Sequence, residues 1–405
     1  MNYVFNNEEY KNKLLERFLR YVKIWTESDG AAADKGIFPS TQRQFDLARL
    51  LEGELKALGL QEVQVTDDCY VYGYLPASKA VPAVTAASKA GAEPVEGTIL
   101  LLAHMDTVDE VTGKDVHPVL SQKGEDTIIH SDGTTLLGGD DKAGISAIME
   151  CLEYLLLHPE LPHCPLEVIF SPDEETGHGM DKVPLGLIKS KYAYTVDGGA
   201  EGELESECFN AWSCRADFYG KACHTGDAKA LGMINAALMA GDFVSKLPHD
   251  KLPETTEDHE GFIALMEMKG TIEKASAQFL LRAFSIEEIE AEKRLLERNA
   301  NEIMKKYGGK VELSFHQQYL NMKDELDKHP QVLQRLEKAY QAAGVQIIRK
   351  PIRGGTDGSR LTEMGIPTPN IFTGGHEFHS RNEWVSLNSM ARCTDVLISL
   401  VCTEK

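Results

Sequence analysis

Short apolar runs alternate with helical periodicities through the first half of the chain and again near its end, which leaves few folds open. The runs are 98–103 (TILLLA), 166–170 (LEVIF), 192–196 (YAYTV) and 368–372 (TPNIF). Apolar residues recur at helical spacing over 8–24, 41–58, 141–157 and 331–343, and the second of these closes on Gly59. Strands interleaved with helices predict an α/β domain with a mixed, mostly parallel sheet, whose ligands sit beyond the carboxyl ends of the strands. From about residue 208 the pattern changes. Alternation at 211–219, a helix over 231–247, strand-like runs at 262–269 and 276–284, a charged helix over 286–307 and a strand at 310–315 follow. That β-α-β-β-α-β order predicts an inserted ferredoxin-like α+β domain. The expected division is one domain from 1–207 and 326–405 and an inserted domain at 208–325. Residues 77–94 read as a surface loop and 353–359 as another.

Bulk properties exclude several classes. Net charge is −21, from 63 acidic and 42 basic residues, which disfavours nucleic acid as a partner because phosphates need basic neutralisation. No apolar run approaches the roughly 18–20 residues that span a bilayer. Eight cysteines are scattered without a C-x-x-C pair, so they read as reduced thiols and not as zinc ligands. With no signal-peptide pattern at the start, a cytoplasmic location is expected.

Five places put a metal-capable side chain just after an apolar run. His104 and Asp106 end TILLLA, and spacing of two on an extended strand places them on one side. Gly138-Gly139-Asp140-Asp141 opens a helix, where one Asp is ordinary but two leave a carboxylate over. Asp173-Glu174-Glu175 follows LEVIF, and three successive acids repel one another unless a cation or open solvent relieves them. Asp197 follows YAYTV and precedes two glycines, which also suits a plain turn. His376 and His379 follow the last run, and either could serve. Each has an ordinary structural reading when taken alone. Together they supply histidines and carboxylates without thiols, a donor set that suits two Zn²⁺ ions, with Co²⁺ or Mn²⁺ as substitutes.

These residues lie in longer runs, LAHMDT, DGTTLLGGDDKAGI, SPDEETGHG, AYTVDGG, IRGGTDGSRL and PNIFTGG. Over nearly the whole chain they resemble the dinuclear zinc peptidases, a family that includes carboxypeptidase G-type enzymes. The resemblance implies that His104 and Asp197 bind one zinc, that Glu175 and His379 bind the other, and that Asp140 bridges them. It implies Glu174 as the general base and Asp106 as the residue that orients His104. His376 competes with His379, and the EWVSL run that follows favours His379. In the inserted domain, which the resemblance makes a lid, His224 would steady the oxyanion, while Arg353 and Arg282 would contact substrate. Family members often pair through the lid, so a homodimer is an expectation. The implied activity is release of the N-terminal residue from short peptides, tripeptides above all. An N-acyl amino acid hydrolase or carboxypeptidase on the same site is the alternative, and a non-catalytic metal- or peptide-binding protein is a third reading. The chain departs from the family pattern at Thr225, at Ala283 and in Ser380-Arg381-Asn382 after His379.

Overall fold

The computed structural model describes residues 3–78 and 97–402, so the loop expected at 77–94 lies almost wholly outside the described residues. The chain divides into two compact units. One comprises Met1–Ser206, Met322–Lys350 and Thr356–Lys405, and the other Glu207–Asn321 with Pro351–Gly355.

An eight-stranded sheet organises the first unit. Its order is Gln61–Val65, Val71–Leu75, Leu166–Ser171, Ile99–His104, Tyr192–Gly198, Asn370–Phe372, Glu203–Glu205 and Ile348–Arg349. The strand Ile99–His104 runs parallel to both neighbours, while the pairs on the Gln61–Val65 side are antiparallel. Every residue of Ile99–His104 and of Leu166–Ser171 is buried, which is why these strands read as unbroken apolar runs. At roughly 1.5–3 kcal/mol for each fully buried large aliphatic side chain, such strands fix the sheet's centre. Register then decides where the polar ends emerge. His104 lies opposite Ser171, and Leu102 lies opposite Thr195, so the three central strands finish level.

The helix Gly139–Leu157 is buried on almost every side and packs against the equally buried Leu387–Val401 and against Glu8–Tyr21. Asp140 and Asp141 depart from helical geometry, and the peptide bond between them is cis. Gly144 lets the helix approach the sheet closely: a Cβ there would stand 1.8 Å from the carbonyl oxygen of Val196. A small antiparallel sheet, ordered Gly375–His376, Trp384–Ser386, Asp126–Ser131 and Pro118–Lys123, has no counterpart in the sequence reading. Its strands are short, and Pro118–Lys123 is almost entirely exposed, so no apolar run marks it. The expected loop at 353–359 holds for 353–356 and ends early: Thr356 caps a helix, Asp357–Glu363, through a reciprocal bond pair with Ser359.

The second unit is a four-stranded antiparallel sheet in the order Phe262–Gly270, Lys274–Ala283, Asn210–Tyr219 and Lys310–Tyr319. Its helices Ala236–Val244 and Ile286–Tyr307 bury Phe218, Phe243, Phe279, Leu281, Ile289 and Leu296 in one core. The single helix expected over 231–247 is broken in two. Gly232 turns left-handed at φ 64° to end Ala228–Leu231, and Asn235 caps the next helix by accepting from the Ala237 and Leu238 N–H groups. No helix among the described residues is long and apolar enough to cross a membrane.

Candidate active site

The level strand ends bring the acids and histidines together. His104 closes its strand with Nε2 2.8 Å from Asp140 Oδ1 and 3.4 Å from Asp197 Oδ1. The second oxygen of Asp140 lies 3.3 Å from His379 Nε2, which in turn lies 3.0 Å from Glu175 Oε2. Asp140 therefore stands between two donor groups, His104/Asp140/Asp197 and Asp140/Glu175/His379. Within each, the donor atoms lie within 4.8 Å of one another. Ligands about 2.0–2.2 Å from a tetrahedral ion are separated from each other by about 3.4 Å, so these spacings suit a small divalent cation in each group. Imidazole nitrogen and carboxylate oxygen, without thiolate, are the donors that zinc, cobalt and manganese share.

The electrostatics lead to the same fit. Burial pushes the Glu174 carboxyl well above its ordinary range. Burial, reinforced by Asp140, brings Glu175 to about 8. Asp197 rises to about 6, again by burial first and with His104 opposing it. Burial works against the charge of His104, yet Asp197, Asp106 and Asp140 outweigh it and raise its pKa well above normal. Hydrogen bonds donated by its ring to Asp140 and Glu175 carry His379 to about 11. Asp140 alone is held low: burial opposes this, but both histidines favour its anion. Crowded buried carboxylates that must borrow protons from one another are what a bound cation relieves.

A ring of further contacts fixes the donors. Asp106 does more than face His104, whose Nδ1 lies 3.4 Å from its Oδ1 and 3.1 Å from its main-chain oxygen. Its two carboxylate oxygens also accept the backbone N–H groups of Glu174 and Glu175, at 3.0 and 3.2 Å. Asn370 accepts the Asp197 N–H through its side-chain oxygen at 3.1 Å. Glu383, 1% exposed, takes the N–H groups of Leu137, Gly138 and Asp140. The three successive acids separate. Asp173, at φ 56°, turns its carboxylate away to Ser40 and Gln44, leaving only Glu174 and Glu175 on the site side. Sequence reasoning missed Glu383 and Asn370. The pairing in which each acts spans more than 170 positions of chain, so although Asn370 stood inside PNIF and Glu383 opened EWVSL, neither run showed what its residue would hold.

His376 stands apart from both donor groups. Its ring stacks on Trp384 at 3.9 Å, and burial lowers its pKa. The remaining expected residues belong to the second unit. His224 is exposed, and its Nδ1 accepts the Gly226 N–H at 3.1 Å, which leaves Nε2 to carry the proton. Arg353 donates to the carbonyl oxygens of Asp258 and Glu260 and to Thr256, over the rings of Phe209 and Phe262. Arg282 is buried and donates to the carbonyls of Trp212 and Leu281. Arg282 Nη1 and both terminal nitrogens of Arg353 are hydrogen-bonded within their own unit.

Residues 100–403 match the sequence profile of peptidase family M20/M25/M40. Peptidase T of Clostridium perfringens is 40% identical over 96% of this chain and 98% of its own. Among solved structures, aminopeptidase PepT of Bacillus cereus superposes with a TM-score of 0.76 at 24% identity, over 96% of this chain and 98% of that one. A dinuclear metal-binding peptidase of Bacillus subtilis superposes at 0.67 with 15% identity, over 97% and 98%.

Proposed function

The chain belongs to peptidase family M20/M25/M40, and we propose that within it the protein is a two-zinc aminopeptidase releasing the N-terminal residue from short peptides, tripeptides above all. The observation that carries this reading is Asp140, one oxygen toward each histidine, between two complete donor groups. We assign His104 and Asp197 to one ion, Glu175 and His379 to the other, and Asp140 to both. Ions held there would supply polarisation of a peptide carbonyl and bring the pKa of water from about 15.7 towards 7.

The chain's own groups do the rest. Glu174 accepts the proton of the attacking water and returns it to the leaving nitrogen. Its carboxyl, raised by burial, holds a proton more firmly than an ordinary carboxylate and so can deliver it to the leaving nitrogen. Asp106, through the Glu174 and Glu175 N–H groups, sets the base and a ligand in one frame. His224, with Nε2–H exposed, is assigned to hydrogen-bond the oxyanion. Arg353 and Arg282 hold backbone in their own unit, and the substrate contact of each is assigned to whatever N–H capacity those bonds leave. The name of the relatives, peptidase T, supports a peptide as the substrate. Eight free cysteines support a reducing, cytoplasmic location. Pairing of two copies is assigned to the uncovered edge strand Phe262–Gly270, where Leu265, Met266 and Met268 are exposed.

The test is zinc-loaded protein with Ala-Ala, Ala-Ala-Ala and Ala-Ala-Ala-Ala, free and N-acetylated, with products read by mass. Free alanine released from the unblocked tripeptide, and lost on acetylation, supports the reading. Cleavage confined to acetylated compounds would make the protein an N-acyl amino acid hydrolase on the same donors.

A further inference from the structure

Asp197 is out of step with the strand beside it. Along Tyr192–Gly198, Thr195 lies opposite Asn370, Val196 opposite Ile371, and Gly198 opposite Phe372. The register slips by one, and Asp197 is left without an opposite residue, as at a β-bulge. A bulge re-aims the side chain it carries. Here that side chain is a donor of the first metal group, 3.4 Å from His104. The Asp197 main-chain N–H is met by a side chain, Asn370 Oδ1, at 3.1 Å. Asn370 can serve only with its amide turned one way. Its Oδ1 also accepts the Ile371 N–H at 3.1 Å, so the oxygen faces two main-chain donors and Nδ2 must point elsewhere. Nδ2 donates to Glu205 Oε2 at 2.7 Å. Asn370 and Glu205 lie directly opposite each other where Asn370–Phe372 pairs with Glu203–Glu205, and both are buried. Without Glu205, Nδ2 would be a buried donor with no acceptor, and the amide would gain by swinging away from Asp197 to find one. Burial pushes the Glu205 carboxyl up to about 8, so at pH 7 it is a neutral acid that acts through a hydrogen bond and not through charge.

We propose that Glu205, a member of neither donor group, is a positioning residue for the His104/Asp197 ion: it holds the Asn370 amide, and Asn370 holds the bulge that aims Asp197. This role rests on the two-ion peptidase reading and extends it outward to a residue two hydrogen bonds from the donor it serves. Partners at such a remove typically contribute about 10–100-fold to metal affinity.

Zinc affinity is to be read by chelator competition in two backgrounds, each with one donor group disabled. His379→Ala leaves His104/Asp140/Asp197, and Asp197→Ala leaves Asp140/Glu175/His379. Glu205→Leu should cost about 10–100-fold in the first background and nothing in the second, a selectivity that general damage to the fold would not produce. Glu205→Gln, whose side-chain carbonyl can accept the same Nδ2–H, should recover the affinity lost in the first background. Glu205→Ala takes the place of the leucine variant should that one fail to fold. Equal losses in both backgrounds, no loss in the first, or a glutamine variant as weak as the leucine one overturns the proposal. Hydrolysis of Ala-Ala-Ala by the two-zinc parent is followed in parallel. Selective loss of affinity with no hydrolysis would sink the peptidase reading and keep the role of Glu205; hydrolysis with equal losses would do the reverse.

Discussion

The Glu383 carboxylate accepts the backbone N–H of Asp140 at 3.0 Å, and with its other oxygen those of Leu137 and Gly138 at 2.8 and 2.9 Å. Asp140 is thus held from its main chain while both its side-chain oxygens face histidines. Glu383→Gln keeps one acceptor but sets an NH₂ group against main-chain donors. Losses of second-layer partners typically cost about 10–100-fold in metal affinity. Competition against a zinc chelator should show a drop of that size with the fold intact by circular dichroism. Unchanged affinity would mean that the loop holds its shape without Glu383.

Glu174 has no place in either donor group, and its carboxyl is raised by burial. Glu174→Gln should therefore lower kcat by about 10²–10⁴ while two equivalents of metal remain bound. Kinetics and metal analysis on the same preparation decide it. Retention of nearly full activity would take the proton-transfer role away from this residue.

Metal uptake should release protons. Without metal, Glu175 titrates at about 8 and His379 at about 11, so both carry protons at pH 7. A cation that takes their lone pairs must displace those protons. Adding zinc to metal-free protein in weak buffer at pH 7 should release more than one proton per chain, and affinity should rise from pH 6 to 8. Proton-neutral binding would contradict the ligand roles of both.

Glu292 in the second unit is buried, neither of its oxygens has a hydrogen-bond partner, and burial raises its pKa to about 8. The unfolded carboxyl loses its proton near 4.3. Between those values the folded state binds the extra proton, so this residue's contribution to stability is present below about pH 4 and is lost as pH rises towards 8. Glu292→Gln removes that slope. Its advantage in thermal unfolding should grow from pH 5 to pH 8, by at most about 1.4 kcal/mol per pH unit, and then level off. A difference independent of pH would place the ionisation elsewhere.

Legibility in the sequence followed burial. Runs such as TILLLA and LEVIF are enclosed on both faces, so composition alone marked them, and the residue after each run fell at the sheet edge. The strands Pro118–Lys123 and Asp126–Ser131 bury one face at most and left no such trace, so the sheet they form was unreadable. Asp173 shows a second limit. Three adjacent acids look alike in one dimension, but a left-handed turn sends the first towards Ser40 and Gln44. His376 and His379 were separable only by the motif that follows them; in space, stacking on Trp384 sets the first apart.

The order in which the donors occur along the chain matters for a ribosome. His104, Asp140, Glu175 and Asp197 are all translated before the second unit, whereas His379 and the Glu383 that steadies Asp140 come after it. A nascent chain thus carries one donor group complete long before it carries the other. A chain that stopped short of His379 would carry His104, Asp140 and Asp197 but lack the histidine of the second donor group.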